Sequence, residues 1–420
     1  MKGFKKYPTA LRPDALKWID EQKDYDILIG IPTFNCEDSI GHVVTTASEA
    51  VHTHFSDAKC AILVSDGGSL DDTREIAEAV EMQDGTSRRV MIYRGMPGKG
   101  TSLRAIFEAA KLLRVKACVV VDSDLRSITP EWIKLLANPV LEGNADYVAP
   151  GYRRHKYDGT ITNHIVYPLT RALYGKRLRQ PIGGDFGLSG DLAAFYIGED
   201  VWDTDVARFG IDIWMTTSAI CQGFRISQVN LGVKVHDAKD PAADLPPMFT
   251  QVISTLFYLM GKYEDTWMNI EGSEDIPSFG SVENHNRPEA VPVTRTKLVE
   301  EFLDGVKHFG DLYKTVLTHE NFLQLQRIAK RFKSDGKIET SHEWWAKVLY
   351  DFSFTYQTWN RNRRRLVSIM TPLYFGRLAG YTSEVENLES DEAEQVIVRQ
   401  AEVFEQSKEY LRHRFTEWEE

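Results

Sequence analysis

Four short apolar runs recur in the first 125 residues, each followed by a polar stretch and then by a segment of helical periodicity. They are Ile27-Leu28-Ile29-Gly30-Ile31, Ala61-Ile62-Leu63-Val64-Ser65, Val90-Met91-Ile92-Tyr93 and Val119-Val120-Val121. Continuous runs of aliphatic and β-branched residues without alternation predict strands buried on both faces. A short helix over Leu16–Gln22 precedes the first. Asp38-Ser39 is a candidate cap for a helix to about His52. Asp71-Asp72-Thr73 starts another, with acids in the first turn where the helix dipole favours them. Gly98-Lys99-Gly100 opens a third helix to about Arg114. Pro32 lacks the N–H a central strand needs, so the chain is expected to leave the sheet there. Strand–helix alternation of this kind predicts an α/β fold, a doubly wound and mostly parallel sheet.

Further on the pattern mixes. Ile128-Thr129-Pro130 leads a helix containing Trp132, and Asp146-Tyr147-Val148-Ala149-Pro150 is a further strand. Phe209-Gly210-Ile211-Asp212-Ile213-Trp214 starts a helix with one acid in an apolar run. Residues 229–237 alternate like an edge strand that ends at His236. A long amphipathic helix is expected over 242–270, a polar linker over Glu271–Val293, and an aromatic-rich helical region from 295 to 420. The expected domains are therefore 1–240 (catalytic), 241–294 (helix and linker) and 295–420 (helical). The final helix, Asp391–Glu420, is highly charged and suits packing on the catalytic domain or in a dimer; a homodimer is the expected assembly.

Composition narrows the classes. With 61 acidic and 50 basic residues the formal net charge is -11, which argues against a nucleic-acid surface or a polybasic membrane patch. No apolar run approaches the roughly 20 residues of a membrane helix, and the first residues lack the apolar core of a signal peptide. The four cysteines (Cys36, Cys60, Cys118, Cys221) have no zinc-like spacing, as expected for thiols in a reducing cytosol. A soluble cytoplasmic protein is the expectation. An anionic ligand would then need cations gathered locally. Lys99, the cluster Arg153-Arg154-His155-Lys156 and the run Arg361-Asn362-Arg363-Arg364-Arg365 are the places where they gather. The last of these most simply caps or decorates a helix.

Candidate chemistry sits after the strands. In Asp122-Ser123-Asp124 the two carboxylates are two residues apart, on one side of an extended backbone. Paired hard oxygens at the carboxyl end of a parallel strand suit Mg²⁺ or Mn²⁺ carrying a diphosphate. A solvated loop would also match so short a pattern. Asn35, Asp66 and Lys99 follow other strands of the same sheet, however, and such sheets bind ligands along that edge. Lys99 lacks the spacing of a P-loop, although a lysine between glycines before a helix is well placed for a phosphate. Gly183-Gly184 has the freedom needed where backbone passes close to a ligand.

These motifs, taken in order, resemble those of GT-A glycosyltransferases, in the subgroup of glucosyl-3-phosphoglycerate, glucosylglycerate and mannosylglycerate synthases. The resemblance covers roughly residues 26–240. It is carried by Ile31-Pro32-Thr33-Phe34-Asn35, by Ser65-Asp66-Gly67-Gly68-Ser69, by Pro97-Gly98-Lys99-Gly100 and by Val121-Asp122-Ser123-Asp124. More specific are Tyr152-Arg153-Arg154, Gln180-Pro181-Ile182-Gly183-Gly184, Phe209-Gly210-Ile211-Asp212 and the run from Gln228 to His236. It implies a GT-A domain with an α-helical C-terminal region, and a retaining, metal-dependent transfer of glucose or mannose from a nucleoside-diphosphate sugar to a small carboxylate acceptor. Pro32, Thr33, Asn35 and Asp66 would meet the nucleoside, Lys99 the diphosphate, and Asp122 and Ser123 the ribose and metal. Asp124 and His236 would be the protein ligands of Mg²⁺ or Mn²⁺. Gly183 and Gly184 would line the sugar. The implied catalytic set is Asp122, Gly184 and Asp212, with Asp212 positioning sugar or acceptor, or acting as nucleophile.

Arg153, Arg154, Thr162 and Asp212 would hold the acceptor. In phosphoglycerate-using relatives an arginine precedes the threonine of the acceptor loop, whereas this chain has Ile161 there. Loss of a fork-shaped cation removes a phosphate clamp and favours D-glycerate over 3-phosphoglycerate. The resemblance leaves the base and hexose open. A glucosyl-3-phosphoglycerate synthase, a transferase acting on another acceptor such as a lipid or polymer, and a non-catalytic nucleotide-sugar sensor are the alternatives.

Overall fold

A computed structural model describes residues 7–22, 24–236, 246–282, 287–336 and 338–416. The lead-in 1–6, the first residues expected in the long helix (242–245), part of the linker (283–286) and the end of the tail (417–420) lie outside them. The chain divides into two compact units, each assembled from separate stretches: residues 1–153, 180–237 and 276–288, and residues 154–179, 238–275 and 289–420. The expected segmentation into 1–240, 241–294 and 295–420 differs from this, since the middle segment is no separate unit and is divided between the two. Residues 154–179 group with the helical part, and 276–288 with the sheet.

The first unit is built on eight strands: β1 Ile27–Thr33, β2 Cys60–Asp66, β3 Thr86–Ile92, β4 Ala117–Val120, β5 Tyr147–Arg153, β6 Phe186–Ser189, β7 Ile226–Val233 and β8 Ser278–Ser281. Their order is β3-β2-β1-β4-β6-β5-β7-β8, and only β6 runs against its neighbours. This is the doubly wound, mostly parallel sheet that the strand–helix alternation predicts. On one face Ile29, Ile31, Ile62 and Val119 pack with Val43, Val44 and Ala47 of the helix Glu37–His54 and with Trp132 and Leu136 of the helix Pro130–Leu141. The helix Lys99–Leu112 covers the other face. It approaches Gly30 so closely that a Cβ there would meet Ile106 Cγ2 at 2.4 Å. Burial pushes the Cys60 and Cys118 thiols, both in strands, up to about 12, as suits inert core groups.

Three local expectations are corrected. Pro32 does not end its strand but pairs with Ser65 inside β1. Thr33 O accepts from Gly67 N on the β2 side and Gly30 O from Val121 N on the β4 side, so Pro32 turns its nitrogen toward β4. That ladder stops at Gly30–Val120, and no bond is lost. The run ending at His236 is not an edge strand, because β8, inside the expected linker, pairs along it. The helix after β1 is capped at Cys36. Ser39 lies in its first turn, where its hydroxyl donates to Ser123 O at 2.8 Å.

The second unit is helical. The expected helix over 242–270 is two, Pro246–Lys262 and Glu264–Met268, and the final helix is also two, Ser390–Gln406 and Lys408–Thr416. Asn362 caps the short helix Arg363–Ser368, so the arginine run decorates a helix start as expected. Tyr167, from the segment 154–179, packs with Tyr381, Val385, Val396 and Ile397. No helix among the described residues is long and apolar enough to cross a membrane.

His164 is fully buried in this unit, with Nδ1 3.3 Å from Gln400 Oε1 and its ring edge-on to Tyr381. Burial, and then the neighbouring Arg377, hold its pKa well below the usual imidazole range. The folded state therefore excludes a proton that the unfolded chain binds below about pH 6.5. The stability from this group is complete above that pH and is lost as the pH falls. Thermal midpoints should drop between pH 7 and pH 5, and His164→Asn should flatten that drop; an unchanged slope in the variant would contradict it.

Candidate functional site

The topology decides which loops meet. β1, β2, β4, β5 and β7 all end on one edge of the sheet, and antiparallel β6 begins there. The loop before β6 (180–185) thus reaches the same edge as Asp122 after β4 and Lys234 after β7. The helices Lys99–Leu112 and Ile211–Cys221 start there too, each with its charged residue in the first turn.

Asp122 is the hub. Its Oδ1 lies 2.8 Å from Lys99 Nζ and its Oδ2 3.2 Å from Lys234 Nζ. Lys99 also pairs with Asp212 Oδ2 at 3.2 Å, and Lys234 with Asp185 Oδ2 at 2.9 Å. Lys234 donates further to Gly183 O at 2.9 Å, and Asp122 N to Asp185 Oδ1 at 2.8 Å. Tyr152 donates its hydroxyl to Asp185 and lays its ring 5.0 Å from the Lys234 ammonium. Gly184 has φ +94°, and a Cβ there would lie 2.0 Å from Asp122 Oδ2, so only glycine lets the backbone pass the carboxylate. The expected convergence of Lys99, Asp122, Gly183, Gly184 and Asp212 is therefore present.

The two acids that share Lys99 differ in charge behaviour. Burial alone would raise the Asp122 carboxyl, but Lys99 and then Lys234 outweigh it and hold the group well below the usual carboxylate range. For Asp212 burial wins over Lys99, and its pKa is raised. Its Oδ1 is buried without a hydrogen-bond partner. Lys99 itself is displaced upward: burial disfavours its charge, but Asp122 and Asp212 favour it more. The cluster thus holds a firm carboxylate, a softer acid with one unsatisfied oxygen, and a firm ammonium between them.

Asp124 and His236 are neighbours through the backbone. Leu125 and His236 form an antiparallel bridge, and Arg126 N donates to Val235 O at 2.9 Å. A carboxylate and an imidazole beside a sheet edge form a donor set that fits Mg²⁺ or Mn²⁺. Among the described residues no group of three or more such side chains gathers to enclose an ion.

The residues expected on the nucleoside are placed differently. Asp66 is fully buried, and its carboxylate accepts from Gly68 N, Ser69 N and Ser69 Oγ at 2.5–2.9 Å. It shapes the turn after β2. Asn35 adopts φ +50°, donates its N–H to Ser69 Oγ, and accepts from Leu70 N at Oδ1. It ties the loops after β1 and β2 together. Pro32 and Thr33 are buried at the end of β1, with Thr33 Oγ1 unpartnered. Ser123 is buried, its hydroxyl 3.2 Å from Cys36 Sγ.

Of the expected acceptor residues, Arg153 ends β5 in the first unit and is exposed. Arg154 and Thr162 belong to the helical unit. Arg154 pairs with Asp158 at 3.4 Å, while Thr162 and Ile161 are buried. Lys234 and Asp185 carry no assigned role from the sequence. Lys234 could have been found by noting that one lysine stands in an otherwise apolar strand end, Val233-Lys234-Val235.

Residues 28–195 match glycosyl transferase family 2. A curated relative, the glucosyl-3-phosphoglycerate synthase of Mycolicibacterium paratuberculosis, is 27% identical over 261 residues, covering 56% of this chain and 72% of the relative. Solved structures of glucosyl-3-phosphoglycerate synthase from Mycobacterium tuberculosis are also similar. The complex with Mn²⁺, UDP and glucosyl-3-phosphoglycerate has 26% identity and a TM-score of 0.46, covering 61% of this chain and 87% of that one. The complex with Mn²⁺, UDP-glucose and phosphoglyceric acid has 26% identity and a TM-score of 0.45, covering 60% and 86%.

The ion-pair hub predicts a strong coupling. Lys234→Met leaves Asp122 and Asp185 without one shared buried cation, which should cost about 3–5 kcal/mol. Adding Asp185→Asn should recover at least about 1 kcal/mol of that loss in denaturant titrations. Additive losses would show that the lysine is not held by these carboxylates.

Proposed function

We propose a reaction for a chain that is, by its family 2 domain and its curated relative, a GT-A glycosyltransferase of the glucosyl-3-phosphoglycerate synthase group. It moves glucose or mannose from a nucleoside-diphosphate sugar to D-glycerate, with retention at the anomeric carbon. The single observation that carries this reading is the Lys99–Asp122–Asp212 cluster at the carboxyl edge of a doubly wound sheet. It gathers cation, carboxylate and a partly unsatisfied acid where such sheets bind nucleotides.

In this reading Asp124 and His236 hold Mg²⁺ or Mn²⁺, which supplies charge neutralisation for the leaving diphosphate when bound. Lys99 adds a positive charge on the diphosphate side, and Asp122 faces the ribose. The Asp122 carboxylate, kept ionised by two lysines, fixes Lys99 in place before the donor arrives; that is electrostatic preorganisation. Gly183 and Gly184 let the hexose lie against the backbone. Asp212 offers its unpartnered Oδ1 to a hydroxyl of sugar or acceptor. The C1–O bond to the diphosphate breaks as the bond from C1 to the acceptor oxygen forms on the same face. The acceptor proton passes to the departing diphosphate oxygen. Asp66 and Asn35 support the nucleoside pocket by shaping its loops, because their side-chain oxygens already accept bonds within those loops.

For the acceptor, the resemblance assigns the carboxylate to Arg153 or Arg154 and a hydroxyl donor to Thr162. Ile161 supplies no charge for a phosphate, which favours glycerate. The curated relative, a glucosyl-3-phosphoglycerate synthase, supports the phosphorylated acceptor as the second reading.

Asp124→Ala should abolish hexosyl transfer while leaving the circular dichroism spectrum unchanged; an active variant would overturn the metal assignment. Across ADP-, GDP- and UDP-glucose and GDP-mannose, D-glycerate should give faster transfer than 3-phosphoglycerate with whichever donor works. A strong preference for the phosphorylated acceptor would show that Ile161 does not mark the acceptor site.

A further inference from the structure

The segment that carries Arg154 and Thr162 is tied by many hydrogen bonds to residues that arrive more than 180 positions later. Lys156 Nζ donates to three carbonyls at a helix end, those of Val385, Glu386 and Leu388, at 2.8–2.9 Å. Its own carbonyl accepts from the Tyr381 hydroxyl at 3.0 Å. Tyr374 donates its hydroxyl to Thr160 Oγ1 at 2.7 Å.

The backbone then makes a π-helical turn over Thr162–Val166, in which Tyr167 N reaches back five residues to Thr162 O. Wide turns of this kind are rare and concentrate at functional sites. Here the carbonyls of the turn are met from outside the segment. Gln400 Nε2 donates to Asn163 O at 3.0 Å, and Trp345 Nε1 donates to His164 O at 2.8 Å. Gln400 is fully buried and is itself oriented by Arg377 Nε, 2.9 Å from its Oε1. Arg179 bonds Asn163 Oδ1 at 2.8 Å while paired through two bonds with Glu394.

We infer that the C-terminal helices are a positioning frame for the acceptor segment, and that Gln400, set by Arg377, is the positioning residue that fixes the π-turn after Thr162. This rests on the acceptor assignment proposed above. A buried amide with both ends engaged defines one backbone geometry, and a segment so defined loses little conformational freedom when a small anion binds. The frame acts on the acceptor alone, since Gln400 and its partners have no part in the donor groups described above.

The test is steady-state kinetics of the full chain with both substrates varied. Gln400→Glu keeps the oxygen that accepts from Arg377 and removes the donor to Asn163 O, so the fold has a conservative alternative. The acceptor KM should rise roughly tenfold, the equivalent of one buried hydrogen bond, with the donor KM unchanged and the thermal midpoint measured alongside. Arg154→Ala serves as the control on the acceptor assignment. If it raises the acceptor KM and Gln400→Glu does not, the frame is overturned and the assignment stands. Arg153→Ala is measured beside Arg154→Ala, because either arginine can take the carboxylate; if none of the three variants moves the acceptor KM, the assignment itself fails. Donor and acceptor KM rising together in Gln400→Glu would also overturn the inference, because that marks general loosening.

Discussion

Two lysines grip one carboxylate, and the candidate site is arranged around that grip. Asp122 leaves the end of β4 with its oxygens divided between Lys99, from the start of a helix, and Lys234, from the end of β7. Those cations hold the half-buried carboxylate ionised against the cost of its partial burial. Without the carboxylate the two ammonium groups would face each other across the sheet edge. The remaining acids follow from the same requirement. Asp185 receives the second bond of Lys234 and the Asp122 N–H, and Asp212 shares Lys99. Backbone shape follows too, since Gly184 passes where any side chain would strike the Asp122 oxygen.

Much of this was legible because the strands are short, apolar and followed by distinctive polar loops. A parallel sheet puts such loops on one edge, so Asn35, Asp66, Lys99 and Asp122 could be grouped from the sequence alone, whereas Gly184 and Asp212 joined them only through the family resemblance. What was not legible depended on hydrogen-bond direction and on pairing at long range. Pro32 stays in its strand because its nitrogen faces a ladder that has already stopped, which composition does not reveal. β8 is four residues in a polar stretch, and it forms against the neighbour it finds in β7, with Phe279 packed on the core. Once β8 covers that side, β7 is internal, and Lys234 is a buried cation where the sequence shows a lysine in an alternating strand.

Asp66 and Asn35 give the complementary lesson. Both stand at the expected edge, but their side-chain oxygens are occupied within the loops that carry them. A polar residue after a strand can recognise a ligand or build the turn that does so, and only the hydrogen-bond partners separate the two. The segment 154–179 is a larger case of the same kind. Its polar residues Thr160, Asn163 and His164 are buried against helices from the far end of the sequence, through bonds that no local pattern encodes.

The central claim is that Asp124 and His236 make an incomplete metal site that a nucleoside diphosphate completes. Electron paramagnetic resonance titration of Mn²⁺, with and without UDP, GDP or ADP, tests it most directly. The account predicts weak Mn²⁺ binding to the protein alone, much tighter binding with one of these diphosphates, and loss of that gain in His236→Ala. Tight Mn²⁺ binding without any nucleotide, indifferent to His236→Ala, would contradict it.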